Sequence, residues 1–219
     1  MFKYNIKQGF TLAEVLITLA IIGVIATMTI PALTKSINDA EKKVALKEAF
    51  RILNTTVSAI SGNNGGTIKT NCGNLDNDCF MNSFLPYLRY SKTCHTGSSL
   101  GNCFDSSYKL LNGALSSSQG QNWAGVVLNN NMSIMFREHV GTCDASIECM
   151  KCGWIGIDVN GFKGPNTWGK DFFVFGINDN KVIPLGKPTT VSPYSECSPD
   201  GSGQAGWGLG CTYDALYGN

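Results

Sequence analysis

Glu14 is an acidic side chain within an apolar segment, a placement that calls for a chemical explanation. It is the one charged residue in the run from residue 10 to residue 30. A helix over that run would be about 31 Å long, which matches the hydrocarbon core of a bilayer. Because an unpaired carboxylate is costly in that environment, Glu14 predicts a partner of opposite charge.

The nine cysteines are a second set of reactive side chains: Cys72, Cys79, Cys94, Cys103, Cys143, Cys149, Cys152, Cys197 and Cys211. Spacing alone does not fix connectivity, but pairing of sequence neighbours would give Cys72–Cys79, Cys94–Cys103 and Cys197–Cys211. Cys143 could then pair with Cys149 or with Cys152. Because nine is odd, at least one thiol is free or pairs between chains, and we expect it in this last cluster.

The cluster around Cys149 and Cys152 also fits two kinds of chemistry beyond a structural disulfide. With His139 and Cys143 it offers enough donors for a tetrahedral zinc ion. The Cys149-x-x-Cys152 spacing is also that of a redox pair. A zinc ribbon normally has two such pairs, however, and redox pairs precede a helix, whereas residues 153–157 predict a strand. A membrane-anchored thiol oxidoreductase or metal-binding protein is therefore the alternative function.

The apolar run follows Lys3 and Lys7 near the N-terminus. By the positive-inside rule these lysines place the N-terminus in the cytoplasm and the rest of the chain outside it, where disulfides form. A secretory signal peptide would need a small-residue cleavage site, and residues 24–34 contain no good one. A plain membrane anchor would not explain Glu14.

The segment Lys7-Gln8-Gly9-Phe10-Thr11-Leu12-Ala13-Glu14 resembles the type III signal of type IV pilins and type II secretion pseudopilins. The resemblance implies that a prepilin peptidase cleaves after Gly9 and that the new N-terminal Phe10 is methylated on its amine. It also implies that Glu14 is the glutamate found at the fifth position of mature pilins. Such a chain is a substrate of the peptidase and a structural subunit, not an enzyme.

Cleavage after Gly9 would create a charged amine at Phe10, which an assembling subunit must bury. Glu14 of a neighbouring subunit can pair with that amine, because a partnered charge is tolerated in a low-dielectric bundle. Glu14 would then set the axial register of a filament. Gly23 and Pro31 weaken the helix, and the interval between them is a candidate hinge or a simple kink at the membrane surface.

The helical pattern continues beyond Pro31 to about residue 61, with two apolar stripes on roughly opposite faces. The earlier stripe contains Leu33, Ile37, Ala40 and Val44, and the later one contains Leu46, Phe50, Leu53, Val57 and Ile60. One core cannot easily bury both stripes. We expect the later stripe to pack on the chain's own globular head and the earlier one to face neighbouring subunits.

Turn signals and apolar runs in the rest of the chain predict strands near residues 124–128, 132–137, 154–159, 172–177 and 181–185, with a short helix near residues 80–90. A long helix on an antiparallel sheet of four or five strands is an α+β fold, as the resemblance to pilins also implies. The expected parts are a leader (1–9), a transmembrane segment (10–30), an amphipathic continuation (31–61) and an extracytoplasmic head (62–219).

Asp158, Asn160 and Asp171 border a loop that is rich in glycine and asparagine. Their oxygens are ligands that calcium prefers, and some pseudopilins bind calcium in such loops. The loop is not an EF-hand, because glycine stands at the fourth position and no glutamate closes it. It predicts either a calcium site or a purely structural turn.

The charge balance excludes one class of partner. With 17 basic and 16 acidic residues the net charge is +1, so nucleic-acid binding is not expected. No nucleophile elbow, phosphate loop or zinc-protease motif is present. The partners that the resemblance implies are the peptidase, other pilin or pseudopilin subunits, an inner-membrane assembly platform and lipid. Trp207 and Tyr213 are candidate contacts near a stapled C-terminal loop, where they could also simply pack.

Overall fold

A computed structural model describes residues 9–69, 72–73, 75–116, 122–139, 143, 150–186, 197–198, 200 and 207–218. The helices are α1 (Leu12–Asn63), α2 (Asn77–Phe84) and α3 (Cys211–Tyr217), with a 3-10 turn at Leu85–Tyr87. The strands are β1 (Tyr90–Cys94), β2 (Ala124–Leu128), β3 (Ser133–Glu138), β4 (Gly153–Asp158), β5 (Phe172–Asn178) and β6 (Lys181–Pro184). The predicted α+β class is confirmed, with six strands instead of four or five.

The sheet is an antiparallel meander in which every strand pairs with its neighbours in sequence, in the order β1-β2-β3-β4-β5-β6. Short turns join β2 to β3 and β5 to β6, and longer loops join the other strands. In the β2–β3 hairpin Leu128 N–H donates to the Met132 carbonyl (2.8 Å), and Asn131 takes a φ of 66°. Asparagine tolerates that left-handed backbone better than most residues, which explains the asparagine at position 131.

The chain divides into two compact units, Met1–Glu41 and Lys42–Asn219. In the second unit, α1 packs on one face of the sheet, as predicted for its later stripe. Leu46, Leu53 and Val57 are almost completely buried, and the Phe50 ring stacks on Phe175 at 5.6 Å. Alternate strand residues complete this core: Val126, Leu128, Ile134, Phe136, Ile155, Ile157, Phe173, Phe175 and Ile177.

The opposite face of the sheet is covered by loops, a layer that the sequence patterns do not predict. Trp123, Trp154 and Trp168 meet there edge to face, with ring centroids 4.6–6.3 Å apart. The Phe104 and Phe172 rings occupy the space above the strand glycines Gly125 and Gly156, where a Cβ atom would collide with them. The inner strands β4 and β5 are therefore buried on both faces, and they read as nearly continuous apolar runs for that reason.

Three local predictions need correction. The helix expected near residues 80–90 is α2, which starts at Asn77 because the Asp76 carboxylate accepts the Cys79 N–H (3.0 Å) as an N-cap. Strand β1 is absent from the prediction because it is an edge strand whose first three residues are exposed and lack an apolar alternation. Helix α3 is absent from it because this helix is short and starts beside a glycine-rich stretch.

Candidate functional site

Helix α1 begins at Leu12 because Thr11 and Glu14 cap its first turn. The Thr11 hydroxyl accepts the Glu14 N–H (3.3 Å), and Glu14 Oε2 accepts both the Thr11 N–H and the Thr11 hydroxyl proton (2.8 Å each). This reciprocal arrangement is a capping box, which satisfies donors that the first helical turn leaves unpaired. The Thr-x-x-Glu spacing could have revealed it in the sequence.

The capping box leaves Gly9 and Phe10 outside the helix. Both residues are exposed, and the Phe10 side chain is 90% accessible. The peptide bond between Gly9 and Phe10 therefore lies in an exposed, non-helical segment immediately before the capped first turn of α1. Glu14 Oε1 accepts no hydrogen bond from the part of the chain that the structure describes, so this oxygen is open to a partner from outside.

Helix α1 is long and apolar enough to cross a membrane. Its threonine hydroxyls do not need external partners, because Thr18, Thr27 and Thr29 donate to the carbonyls of Val15, Val24 and Ile25 (2.8–3.0 Å). Glu14 differs from these threonines, because its Oε1 atom accepts no hydrogen bond from the described residues and cannot donate one itself.

Residues 4–30 match the family model of the prokaryotic N-terminal methylation motif. The chain carries the type IV pilin and pseudopilin signal. Gly9, Phe10 and Glu14 all lie within the matched range, and the motif supports a pilin-like prepilin substrate. A search of curated proteins and a search of solved structures gave no match. The apolar helix of this pilin-like chain fits anchoring in a membrane.

The earlier apolar stripe of the pilin-like helix is exposed. Leu33 and Ile37 are 63% and 48% accessible in the first unit, and Val44 is 68% accessible in the second. Leu46, two residues after Val44, is fully buried in the head. The two stripes thus differ in burial as the periodicity predicted. The helix runs without interruption through Gly23 and Pro31, so the hinge between them remains a prediction.

Four disulfides join the cysteines of the head: Cys72–Cys79, Cys94–Cys103, Cys143–Cys152 and Cys197–Cys211. Three are the pairs expected between sequence neighbours, and the fourth is one of the two left open for Cys143. The ninth cysteine, Cys149, lies outside the described residues.

The disulfide partner of Cys152 contradicts both the redox and the zinc interpretation of the Cys149 cluster. Cys152 is bonded to Cys143, so Cys149 and Cys152 do not form a dithiol–disulfide couple, and two of the four proposed zinc ligands are unavailable as thiolates. Burial and the charge of Arg137 lower the pKa of His139, whose backbone N–H donates to the Cys152 carbonyl (2.9 Å). The Cys143–Cys152 disulfide is thus a structural staple next to the start of β4.

The structure brings the proposed calcium ligands together in one buried turn. Asp158 ends β4 and Asp171 precedes β5, and both carboxylates are inaccessible. The Tyr108 hydroxyl donates to Asp158 Oδ2 (2.7 Å), and the Asn160 N–H donates to Asp158 Oδ1 (3.2 Å). Burial raises the pKa of Asp158 to about 8, and the negative charge of Asp171 adds to the rise.

The Asp171 carboxylate organises the backbone of the same turn. It accepts the N–H groups of Asn166 (2.8 Å) and Thr167 (2.6 Å), one on each oxygen. Burial nevertheless raises the pKa of Asp171. Within the described ranges, no group of three or more His, Cys, Asp or Glu side chains could hold a metal ion. Both carboxylates have donors from the protein, and calcium binding at Asp158, Asn160 and Asp171 stays a prediction.

The C-terminal segment packs against the head. Trp207 is half-buried against the aromatic layer, and Tyr213 lies beside Tyr217 with ring centroids 4.9 Å apart. The Tyr213 N–H donates to the Leu185 carbonyl (2.8 Å). The Lys43 ammonium of α1 donates to the Gly218 carbonyl (2.8 Å), which ties the end of the chain to the helix. These contacts account for both aromatic residues by packing.

Proposed function

We propose that this chain is a structural subunit of a type IV pilus or a type II secretion pseudopilus. The observation that carries the proposal is the matched motif at residues 4–30 together with the exposed Gly9–Phe10 bond in front of a capped helix. A prepilin peptidase would cleave after Gly9 and methylate the Phe10 amine. A competence filament would use the same parts.

Each segment of the chain would have a separate role. Residues 1–9 would be removed as the leader, and residues 10–30 would hold the subunit in the cytoplasmic membrane with its head outside the cytoplasm. Residues 31–61 would continue the helix into the head, which occupies residues 62–219. An assembly platform in the inner membrane would then extract the subunit from lipid into a homopolymer or heteropolymer, and the Gly23–Pro31 interval would act as its hinge.

Glu14 would link one subunit to the next. Its Oε2 atom is held by Thr11, whereas Oε1 is open, so the same carboxylate can keep its cap and also receive the Phe10 amine of a neighbour. Within a bundle of apolar helices, that charge pair would satisfy both groups. The exposed Leu33, Ile37 and Val44 side chains would pack against neighbouring subunits in the same assembly.

Mass spectrometry of the mature N-terminus tests the proposal. We expect a chain that begins with N-methylated Phe10 when the full gene product is made in a host with a prepilin peptidase. A Gly9→Val variant should keep its leader and serves as the control for cleavage. A wild-type chain that begins at Met1, or at a residue after 26, would contradict the proposal.

The second test concerns assembly. Glu14→Val should still be inserted in the membrane, because the change makes the helix more apolar, but it should not enter filaments. A Val15→Ala variant, which changes a neighbouring side chain without altering charge, should assemble. Filament incorporation of Glu14→Val at the wild-type level would argue against a pilin-type role for this carboxylate.

A further inference from the structure

Lys35 and Asp39 repeat the charge pattern of the N-terminal pair. Lys35 is a cation four residues before an acid, as the Phe10 amine is a cation four residues before Glu14 once the leader is removed. The two pairs lie about 25 residues apart, which is close to seven full turns at 3.6 residues per turn. Because α1 is continuous between Glu14 and Asp39, these two acids lie on nearly the same face of the helix, and Phe10 lies just before its first residue.

Lys35 and Asp39 form no ion pair within the part of the subunit that the structure describes. Both side chains are exposed. The ion pairs of the described residues are Arg51–Glu48 and His95–Asp78, and neither includes these two charges. A lysine four residues before an acid is also the less favourable order for a pair within one helix. The charges are therefore available to another molecule.

The same axial offset between two parallel copies would bring the two members of each charge pair close together. If the Phe10 amine of one copy lies beside Glu14 of the next, the helices are offset by about 6 Å or slightly more, because Phe10 lies two residues before α1 begins. Copies related by one symmetry operation keep that offset along their whole length. The long, flexible side chain of Lys35 in the first copy can then reach Asp39 of the second. Extension of the Gly23–Pro31 interval would not change this, because it would occur in both copies alike.

We infer that Lys35 of one subunit pairs with Asp39 of a second copy of this chain, at the same interface as Phe10 and Glu14. The inference rests on the proposed function, because the Phe10 amine exists only after cleavage. The two pairs have the same sign order and the same spacing, so both oppose slippage of one helix along the other. The second pair lies beyond the apolar segment and thus fixes the register where the helix leaves the membrane.

Charge reversal in the full-length chain tests the inference, with filament yield as the readout. We expect Lys35→Glu and Asp39→Lys each to lower the yield at least about five-fold, since each places like charges opposite one another at every interface. Lys163→Glu, the same charge change at an exposed loop of the head, is the matched control and should assemble normally.

Co-expression separates a pair between subunits from a pair within one subunit. In mixed filaments the glutamate introduced by Lys35→Glu would face the lysine introduced by Asp39→Lys, and the unchanged Lys35 would face the unchanged Asp39. The two defective variants should therefore restore each other. The double variant K35E/D39K should also assemble. Restoration by the double variant without restoration by co-expression would assign the pair to a single chain and overturn the inference, as would normal yield of both single variants.

A cross-linking experiment measures the contact directly. Filaments made from co-expressed Lys35→Gln and Asp39→Asn subunits retain Lys35 on one copy and Asp39 on the other. A zero-length carbodiimide should therefore join these two residues only between copies, and mass spectrometry should find the linked peptides. Their absence would overturn the inference.

The Glu14→Val variant distinguishes the inference from the proposed function. Filaments that require Glu14 but tolerate both reversals at Lys35 and Asp39 would remove this inference and leave the proposed function in place. A chain that keeps its leader, or that assembles with Glu14→Val, would remove the proposed function itself.

Discussion

Thr11 and Glu14 hold each other reciprocally at the start of α1: the hydroxyl accepts the Glu14 N–H, and one carboxylate oxygen accepts two hydrogen bonds from Thr11. The sequence suggested that Glu14 needs a cation from a neighbour. The structure shows that it already has polar partners in its own chain. The capping box determines where the helix begins. It also leaves the second carboxylate oxygen of Glu14, Oε1, free.

Thr11→Val should weaken the start of the helix, because it removes the hydroxyl and keeps the side-chain shape. We expect the loss of about 1 kcal/mol that is typical of an N-cap, and faster amide exchange at residues 12–15 of the chain in detergent micelles. Thr11→Ser keeps the hydroxyl and should behave as wild type. Equal exchange in the valine and serine variants would show that the cap does not stabilise this turn.

Val44→Glu should impair assembly and leave the head folded, since the Val44 side chain is 68% accessible and belongs to the exposed stripe. Leu53→Glu is the matched contrast, because Leu53 is fully buried and a charge there has no partner. We expect a wild-type melting temperature for Val44→Glu and an unfolded head for Leu53→Glu. Loss of the folded head in Val44→Glu would refute the division between the two stripes.

The head should become less stable as the pH rises from about 4 to about 8. Because the folded pKa of Asp158 is raised to about 8, the folded head holds a proton in this range that the unfolded chain releases. One such proton lowers the free energy of unfolding by at most about 1.4 kcal/mol for each pH unit. This dependence on pH ends above the folded pKa of Asp158. The raised pKa of Asp171 acts in the same direction.

Asp158→Asn is the variant for this pH dependence, because asparagine keeps an acceptor for the Tyr108 hydroxyl and cannot ionise. Thermal unfolding between pH 4.5 and pH 8.5 should show a flatter profile for Asp158→Asn than for the wild type. Parallel profiles in the two proteins would mean that Asp158 does not carry the effect.

Calcium should leave the melting temperature of the head unchanged, because Asp158 and Asp171 already accept four hydrogen bonds from the protein. Calorimetric titration of the full chain checks this expectation, with Asp158→Ala as the comparison. Stoichiometric binding by the wild type that disappears in Asp158→Ala would instead establish the calcium site.

Cys197→Ser should destabilise the head by about 3 kcal/mol, the value expected for a closed loop of about this length. Cys149→Ser is the control, because the other eight cysteines are already paired with one another. Denaturant unfolding under non-reducing conditions compares the two. A loss of stability in Cys149→Ser equal to that in Cys197→Ser would show that Cys149 has a structural partner.

Local features of the sequence were sufficient to predict several parts of the fold. The turns at residues 129–131 and 178–180 predicted hairpins whose strands pair as expected, and the period of α1 separated the buried stripe at Leu53 from the exposed one at Val44. The edge strand β1 could not be found in this way, because its pairing with β2 and not its own hydrophobicity makes it a strand. The fourth disulfide was ambiguous for a similar reason, since Cys149 and Cys152 are nearly equivalent by distance along the chain.

The sequence by itself determined the signal at Gly9, Phe10 and Glu14, the apolar helix and the two tight hairpins of the sheet, because motifs, periodicity and tight turns act over a few residues. Tertiary structure alone decided that aromatic loops cover the second face of the sheet and that Cys143 bonds Cys152. It also decided that Tyr108 meets Asp158 across 50 residues. Such contacts depend on how distant segments pack around one core, and no local pattern encodes that arrangement.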